Sequence, residues 1–181
     1  MKSILSIDVG TKNLGICLFY VSDPSVQLQM WRVCSIFQGN TKDIHTIAQA
    51  LYELLDSIPE PNIVLIENQP ALKNPIMKTI QVLIFSYYFQ KIYNKSHTVE
   101  HVHYVSASVK LKPFDILTNN YKQRKSASIE IASSFLPTMA PLFRSEFESS
   151  PKKDDLADSL LQGISWCIQH NLLTKGNFTI F

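Results

Sequence analysis

No stretch of this 181-residue sequence is apolar for long enough to cross a bilayer. The most apolar run, Val82 to Phe89, falls far short of the roughly 18 residues required and reads as a buried or partner-facing helix. The start, Met1 to Ile7, is too short an apolar stretch for a signal peptide, and a strand begins too early to leave room for a transit peptide. We therefore expect an intracellular protein with no membrane partner. Cysteine is scarce: Cys17, Cys34 and Cys167 cannot all pair within one chain and form no Cys-x-x-Cys unit, so packed, reduced thiols are expected. Internal repeats and low-complexity tracts are lacking too. What is present is 45% apolar residues, enough for one ordinary core and too few residues for two, so a single domain over residues 1–181 is expected.

A formal net charge of +2 conceals an uneven distribution. Residues 68–153 hold twelve Lys or Arg against five Asp or Glu, and the rest of the chain five against ten. That pattern suits a protein that collects cations in an acidic cleft and a polyanion on a basic rim. Solvation of helix faces would account for any single lysine.

Apolar, β-branched runs at Ser3–Ile7, Leu14–Val21 and Gln27–Phe37 predict three strands, joined by the turn Val9 to Asn13 and the breaker Ser22-Asp23-Pro24-Ser25. Such short links make an antiparallel meander. From Asp43 to Ile58 the period changes: Ile44, Ile47, Ala48, Leu51, Leu54, Leu55 and Ile58 recur at helical spacing up to Pro59. A strand at Asn62–Ile66, a helix from about Ala71 to Tyr93, a strand at Glu100–Ser106, a helix at Tyr121–Phe135, a loop to Pro151 and a helix from about Asp154 to His170 follow. The fold class is therefore α/β: a mixed five-stranded sheet, a three-stranded meander plus two parallel strands, flanked by helices.

Four acids stand out against this frame. Asp8 and Glu67 each end an apolar strand, where open α/β sheets build their sites. Asp155 and Asp158 lie three apart, on one helical face. Together they have the hard oxygen donors of a metal-dependent nuclease. Singly, each has a plainer reading: Asp8 as a turn cap, Glu67 as the partner of a lysine, and the last pair as acids at a helix N-terminus, a role that suits Asp154 better. His97, His101 and His103 lack a companion cysteine, and His101 and His103 share a strand face with valines, so partly exposed histidines are expected there rather than a metal site.

This order of elements, with Asp on the first strand, Glu on the fourth and a carboxylate pair on the last helix, resembles the ribonuclease H-like fold of the RuvC-type Holliday junction resolvases. The resemblance covers nearly the whole chain. Asp8-Val9-Gly10-Thr11-Lys12-Asn13, Glu67-Asn68-Gln69-Pro70, Tyr121-Lys122-Gln123-Arg124-Lys125 and Asp154-Asp155-Leu156-Ala157-Asp158-Ser159 look most like the resolvases of poxviruses and related large DNA viruses. Fungal mitochondrial resolvases are similar but more distant, and bacterial members usually carry Pro where this chain has Val9. The first motif also resembles the phosphate loop of sugar kinases and actin-like ATPases, but those need two such domains, and there is no second Asp-x-Gly loop; no nucleotide cofactor is expected.

The resemblance implies a Mg²⁺-dependent endonuclease that cuts four-way junctions and other branched DNA with paired symmetric nicks. Two ions per site, replaceable by Mn²⁺, would be held by Asp8, Glu67, Asp155 and Asp158. It places Lys110 and Lys125 against phosphates near the scissile bond, with Lys125 among the catalytic residues. Tyr121, Lys122 and Arg124 would join them, and Lys73, Lys78, Lys152 and Lys153 would make outer contacts. It further implies a homodimer through the 71–93 helix, with Ile80, Leu83, Ile84, Tyr87 and Tyr88 as its apolar surface, and work on viral genomes in the host cytoplasm. Hydrolysis of RNA in RNA/DNA hybrids and junction binding without cleavage are the alternatives.

Overall fold

The computed structural model describes residues 1–36, 43–72, 74–95, 98–116 and 120–181; Lys73, His97 and the expected strand end at Phe37 lie outside them. In chain order the elements are β1 (Lys2–Asp8), β2 (Leu14–Ser22), β3 (Ser25–Cys34), α1 (Ile44–Asp56), β4 (Ile63–Glu67), α2 (Pro75–Asn94), β5 (His101–Val105), α3 (Tyr121–Phe135), α4 (Pro141–Ser149), α5 (Lys153–Gln169) and β6 (Thr179–Ile180). They build one mixed sheet ordered β5-β4-β1-β2-β3-β6. The meander β1-β2-β3 is antiparallel, and β4 and β5 add in parallel beside β1, as the element order implied. Two expectations need correction. The sheet has six strands, because the two-residue β6 pairs in parallel with β3. The expected loop before Pro151 contains α4, a short helix started by Pro141 and anchored by Phe143 and Phe147, one turn apart.

Strand alternation sorts the side chains into two cores. Leu5 and Ile7 of β1, Ile16 and Leu18 of β2 and Val64 and Ile66 of β4 pack under α1 and α2. Ile4, Cys17, Phe19, Ile63 and Leu65 point the other way, under α5, whose Leu160 and Ile164 cover them. The caps are local: Asp43 accepts from Thr46 N at 2.9 Å to start α1, and Asn74 accepts from Met77 N ahead of Pro75 to start α2.

On α2 the expected outward face is corrected. Ile80, Ile84 and Tyr88 are core residues, while Val82, Phe89 and Tyr93 face outward. Phe85 stacks on both Phe89 and Tyr104 of β5, with ring centroids 5.5 and 5.1 Å apart, extending this aromatic surface to the sheet edge. Among the described residues no helix is long and apolar enough to cross a membrane.

Gly15 sets how near α5 comes to the sheet. A Cβ at Gly15 would stand 2.5 Å from the backbone oxygen of Asp155 and 3.2 Å from Asp8 Cβ. We predict that Gly15→Ala lowers unfolding free energy by about 1–3 kcal/mol, the usual penalty of overpacking, read as a shifted urea midpoint; an unchanged midpoint would mean that α5 retreats freely.

Candidate active site

The parity of two strands puts the first two acids together. β1 and β4 pair in parallel with Ile4 opposite Ile63, Ser6 opposite Leu65 and Ile7 opposite Ile66, so the next step brings Asp8 beside Glu67. Both follow residues of the α1 and α2 face, Ile7 and Ile66, so alternation turns them to the α5 side, where α5 lays Asp158 over them. The convergence point is occupied by a lysine. Lys110 Nζ lies 2.8 Å from Asp8 Oδ1, 2.9 Å from Glu67 Oε1 and 3.1 Å from Asp158 Oδ2. Its residue is 4% exposed and that of Asp8 8%. Asp155 borders the same cleft of about 540 Å³, together with Asp8, Glu67, Asp158, Gln69, Tyr121 and Lys125.

Several residues that sequence reasoning missed hold this geometry. Gln162, wholly buried one turn after Asp158, donates through Nε2 to Ser6 Oγ and to the Ile7 carbonyl, both at 3.1 Å, pinning α5 to the end of β1. The Trp31 indole N–H donates to the Leu156 carbonyl at 2.9 Å, between the two helix acids, and its ring stacks on Phe147 with centroids 5.0 Å apart. Ser165 Oγ donates to the Lys110 carbonyl at 2.7 Å, fixing the lysine's backbone to the same helix. Gln69 Nε2 donates to Glu67 Oε2. A buried Gln inside an apolar helix face signals a partner, since an unsatisfied amide is costly there.

The electrostatics follow from crowding and burial. Asp8 is pushed up to about 6, first by burial and then by Glu67, against the pull of Lys110. Asp155 also rises to about 6, through burial and the charges of Asp154 and Asp8. Burial alone would favour a neutral Lys110, but Asp8, Asp158 and Glu67 outweigh it and hold the ammonium above the usual lysine range.

The rim is basic, with differences from expectation. Lys110, expected on the phosphates, is turned into the acids. Lys125 hydrogen-bonds Asp154, which stands in the first turn of α5 as expected of an acid at a helix N-terminus, and lies 5.1 Å from the centre of the Tyr121 ring. Arg124 approaches the same ring at 6.0 Å. Lys122 is exposed on the first turn of α3, and Lys152 and Lys153 flank the start of α5. Half-buried Lys78 donates to Asn68 Oδ1 and Gln81 Oε1 at 3.2 Å each. His103 lies between His101 and Trp166, packed among rings.

Oxygens from three elements converge on one ammonium, so the donor set is hard, anionic and able to meet a single cation, as a divalent ion of the Mg²⁺ type requires. Among the described residues no group of three or more His, Cys, Asp or Glu is already arranged around a metal position.

The architecture is the ribonuclease H-like one of RuvC-type resolvases. A Fowlpox virus resolvase in complex with its substrate Holliday junction DNA superposes with a TM-score of 0.70 over 93% of this chain and 98% of that one, at 18% identity. The yeast mitochondrial Holliday junction resolvase gives 0.69 over 93% and 80%, at 15% identity. The chain belongs to the poxvirus A22 protein family, whose model matches residues 2–170. An uncharacterised protein of Acanthamoeba polyphaga mimivirus is 34% identical over 116 residues, a span of 55% of this chain but only 27% of that relative.

The raised acids give a testable pH dependence. With pKa values about 6 in the fold against an ordinary 3.8, Asp8 and Asp155 bind more protons folded than unfolded, so their stabilisation is complete below about pH 4 and lost as pH rises through about 6. Lys110 contributes no slope in that range, since it is charged in both states. In EDTA the melting temperature should therefore fall between pH 5 and 7.5, and less so in Asp155→Asn; comparing the two proteins cancels the opposite slope of His103, whose pKa burial depresses. Equal slopes would show that Asp155 is not strained.

Proposed function

We propose that this protein is a divalent-metal-dependent endonuclease that resolves four-way DNA junctions by paired nicks, acting as a homodimer over the whole span 1–181. The observation that carries this reading is the meeting of Asp8, Glu67 and Asp158, from β1, β4 and α5, around one cation beneath a basic rim. Family membership and the likeness to a resolvase bound to junction DNA support the substrate class.

Asp8, Glu67, Asp155 and Asp158 would hold two Mg²⁺ ions, with Mn²⁺ able to substitute. Bound there, such ions supply a nucleophile near neutral pH and neutralise charge on the attacking and leaving oxygens. The chain's own residues do the rest. Asp8 and Asp155 must be ionised to serve, so cleavage should strengthen as pH rises through about 6. Lys110 also borders a pocket of about 140 Å³ with Arg124, Lys125 and Ser128, and once metal ions took its place among the acids its ammonium would be free to meet a phosphate there. Lys125, held between Asp154 and Tyr121, offers a second cation at the scissile bond. Lys122, Lys152, Lys153, Lys78 and Lys73 are the outer contacts of this proposal; phosphate contacts position a duplex without reading its sequence.

A four-way junction has two-fold symmetry, and a two-fold dimer matches it most simply. The outward face of α2, with Val82, Phe85, Phe89 and Tyr93 beside Tyr104, supports such an interface, since exposed contiguous apolar surface marks a binding site. The family points to viral replication sites in the host cytoplasm, where recombined or concatemeric genomes need resolving.

Asp8→Asn should keep junction binding while abolishing nicking of a labelled four-way junction in Mg²⁺; normal cleavage by this variant would refute the site. Hybrid cleavage without junction cleavage, or tight binding without nicks, would point to the alternative activities. Sedimentation should show a dimer at micromolar concentration, lost in Phe89→Glu; a wild-type monomer that still makes paired cuts would remove the dimer.

A further inference from the structure

Glu67 is gripped at both oxygens. Lys110 takes Oε1 at 2.9 Å, and the Gln69 carboxamide donates to Oε2. Gln69 is itself held from α2: its backbone N–H donates to Gln81 Oε1 at 2.7 Å, and the same oxygen accepts from Lys78 Nζ at 3.2 Å. Lys78 also donates to Asn68 Oδ1, so residues 68 and 69, just past β4, are tied to one turn of α2. Gln81 is fully buried, and its Nε2 meets no acceptor among the described residues. Packing alone would favour Leu at such a place, because a buried amide with an unmet donor destabilises. A local rule broken in this way points to a functional demand on the other end of the side chain, here the acceptor oxygen.

Resting on the metal-site reading above, we propose that Gln81 is a positioning residue for metal binding: it fixes Gln69, which orients the Glu67 carboxylate. Partners that orient metal ligands commonly contribute ten- to a hundredfold in metal affinity or activity. Because Gln81 lies on α2, whose outward face carries the exposed rings Phe89 and Tyr93, the helix proposed to supply the dimer face also holds a metal ligand in place. The acceptor role sets the test. Gln81→Leu removes the acceptor while keeping the volume, and Gln81→Glu keeps an acceptor oxygen, faces Lys78, and gives up only the unmet Nε2 donor.

The experiment is Mn²⁺ titration of the full chain by calorimetry, alongside junction-cleavage kinetics. Gln81→Leu should bind Mn²⁺ about tenfold more weakly than wild type and lose about tenfold in kcat at unchanged KM. Gln81→Glu should recover to within about threefold. Gln69→Ala, which keeps the backbone N–H and removes the carboxamide, should match Gln81→Leu and serves if that variant fails to fold. Wild-type Mn²⁺ affinity in both Gln81→Leu and Gln69→Ala, or equal deficits in Gln81→Leu and Gln81→Glu, would overturn the proposal. A wild-type protein that binds Mn²⁺ but nicks no junction would sink only the endonuclease reading, and the affinities of the variants would still decide this one. No Mn²⁺ binding by wild type would end both.

Discussion

The buried ammonium of Lys110 is the interaction on which the site depends. Three carboxylates at the end of a sheet repel one another, and the dielectric around them is low enough to make that repulsion large. One cation at hydrogen-bond distance from all three turns the cluster from prohibitive to tolerable, and the Ser165 bond to the Lys110 carbonyl keeps the cation where it is needed. The compensation is incomplete. Asp8 keeps a raised pKa despite its lysine, and Asp155 is not among the three carboxylates that the ammonium bonds, so that burial, Asp154 and Asp8 raise it against the weaker pull of Lys152 and Lys125. A fold selected only for stability would replace such a group with apolar residues of similar volume. Lys110 alone leaves this cluster short of positive charge.

That charge geometry is built from backbone rules that have nothing to do with catalysis. Side-chain alternation puts Asp8 and Glu67 on the α5 side of two paired strands, and a helical step of three does the same for Asp155 and Asp158. What brings the two pairs within reach is the close approach of α5 to β2. Gly15 leaves room for the Asp155 backbone, Gly163 does the same against Phe19, and Gln162 and Trp31 bind the helix at two levels. A larger residue at either glycine would move the acids apart before it disturbed the core elsewhere.

The four acids were legible in the sequence because each ends or opens an element with a strong local pattern: apolar runs before Asp8 and Glu67, helical periodicity after Asp155. α3 was legible to the residue, since Asn120 caps it and Pro137 stands two residues after Phe135. Lys110 was visible as a cation but not as the hub, because its place depends on two 3₁₀ turns after β5 that no periodicity announces. β6 is two residues long and exists only by pairing with β3. The outward face of α2 was misread for a physical reason. A helix apolar on nearly every side carries no polar stripe to say which side meets the sheet. Gln81, its one fully buried polar residue, was the available signal.

For the proposed endonuclease, the opposed charges of floor and rim do separate jobs. The acids repel a phosphodiester, so Lys125, Arg124 and Lys122 must bring the DNA down, and their contacts are long-range, salt-sensitive and indifferent to base sequence. Divalent ions bound in the floor would do more than chemistry, because they would reverse the sign of the field that a scissile phosphate meets. Specificity for a branch is left to shape: two such clefts must face two strands at once. α2 is suited to set their spacing, since it carries both exposed rings and the buried Gln81 within a single helix. In the proposed dimer, a shift of that helix against the sheet would disturb the spacing of the clefts and the orientation of Glu67 together, which would tie cutting to correct assembly.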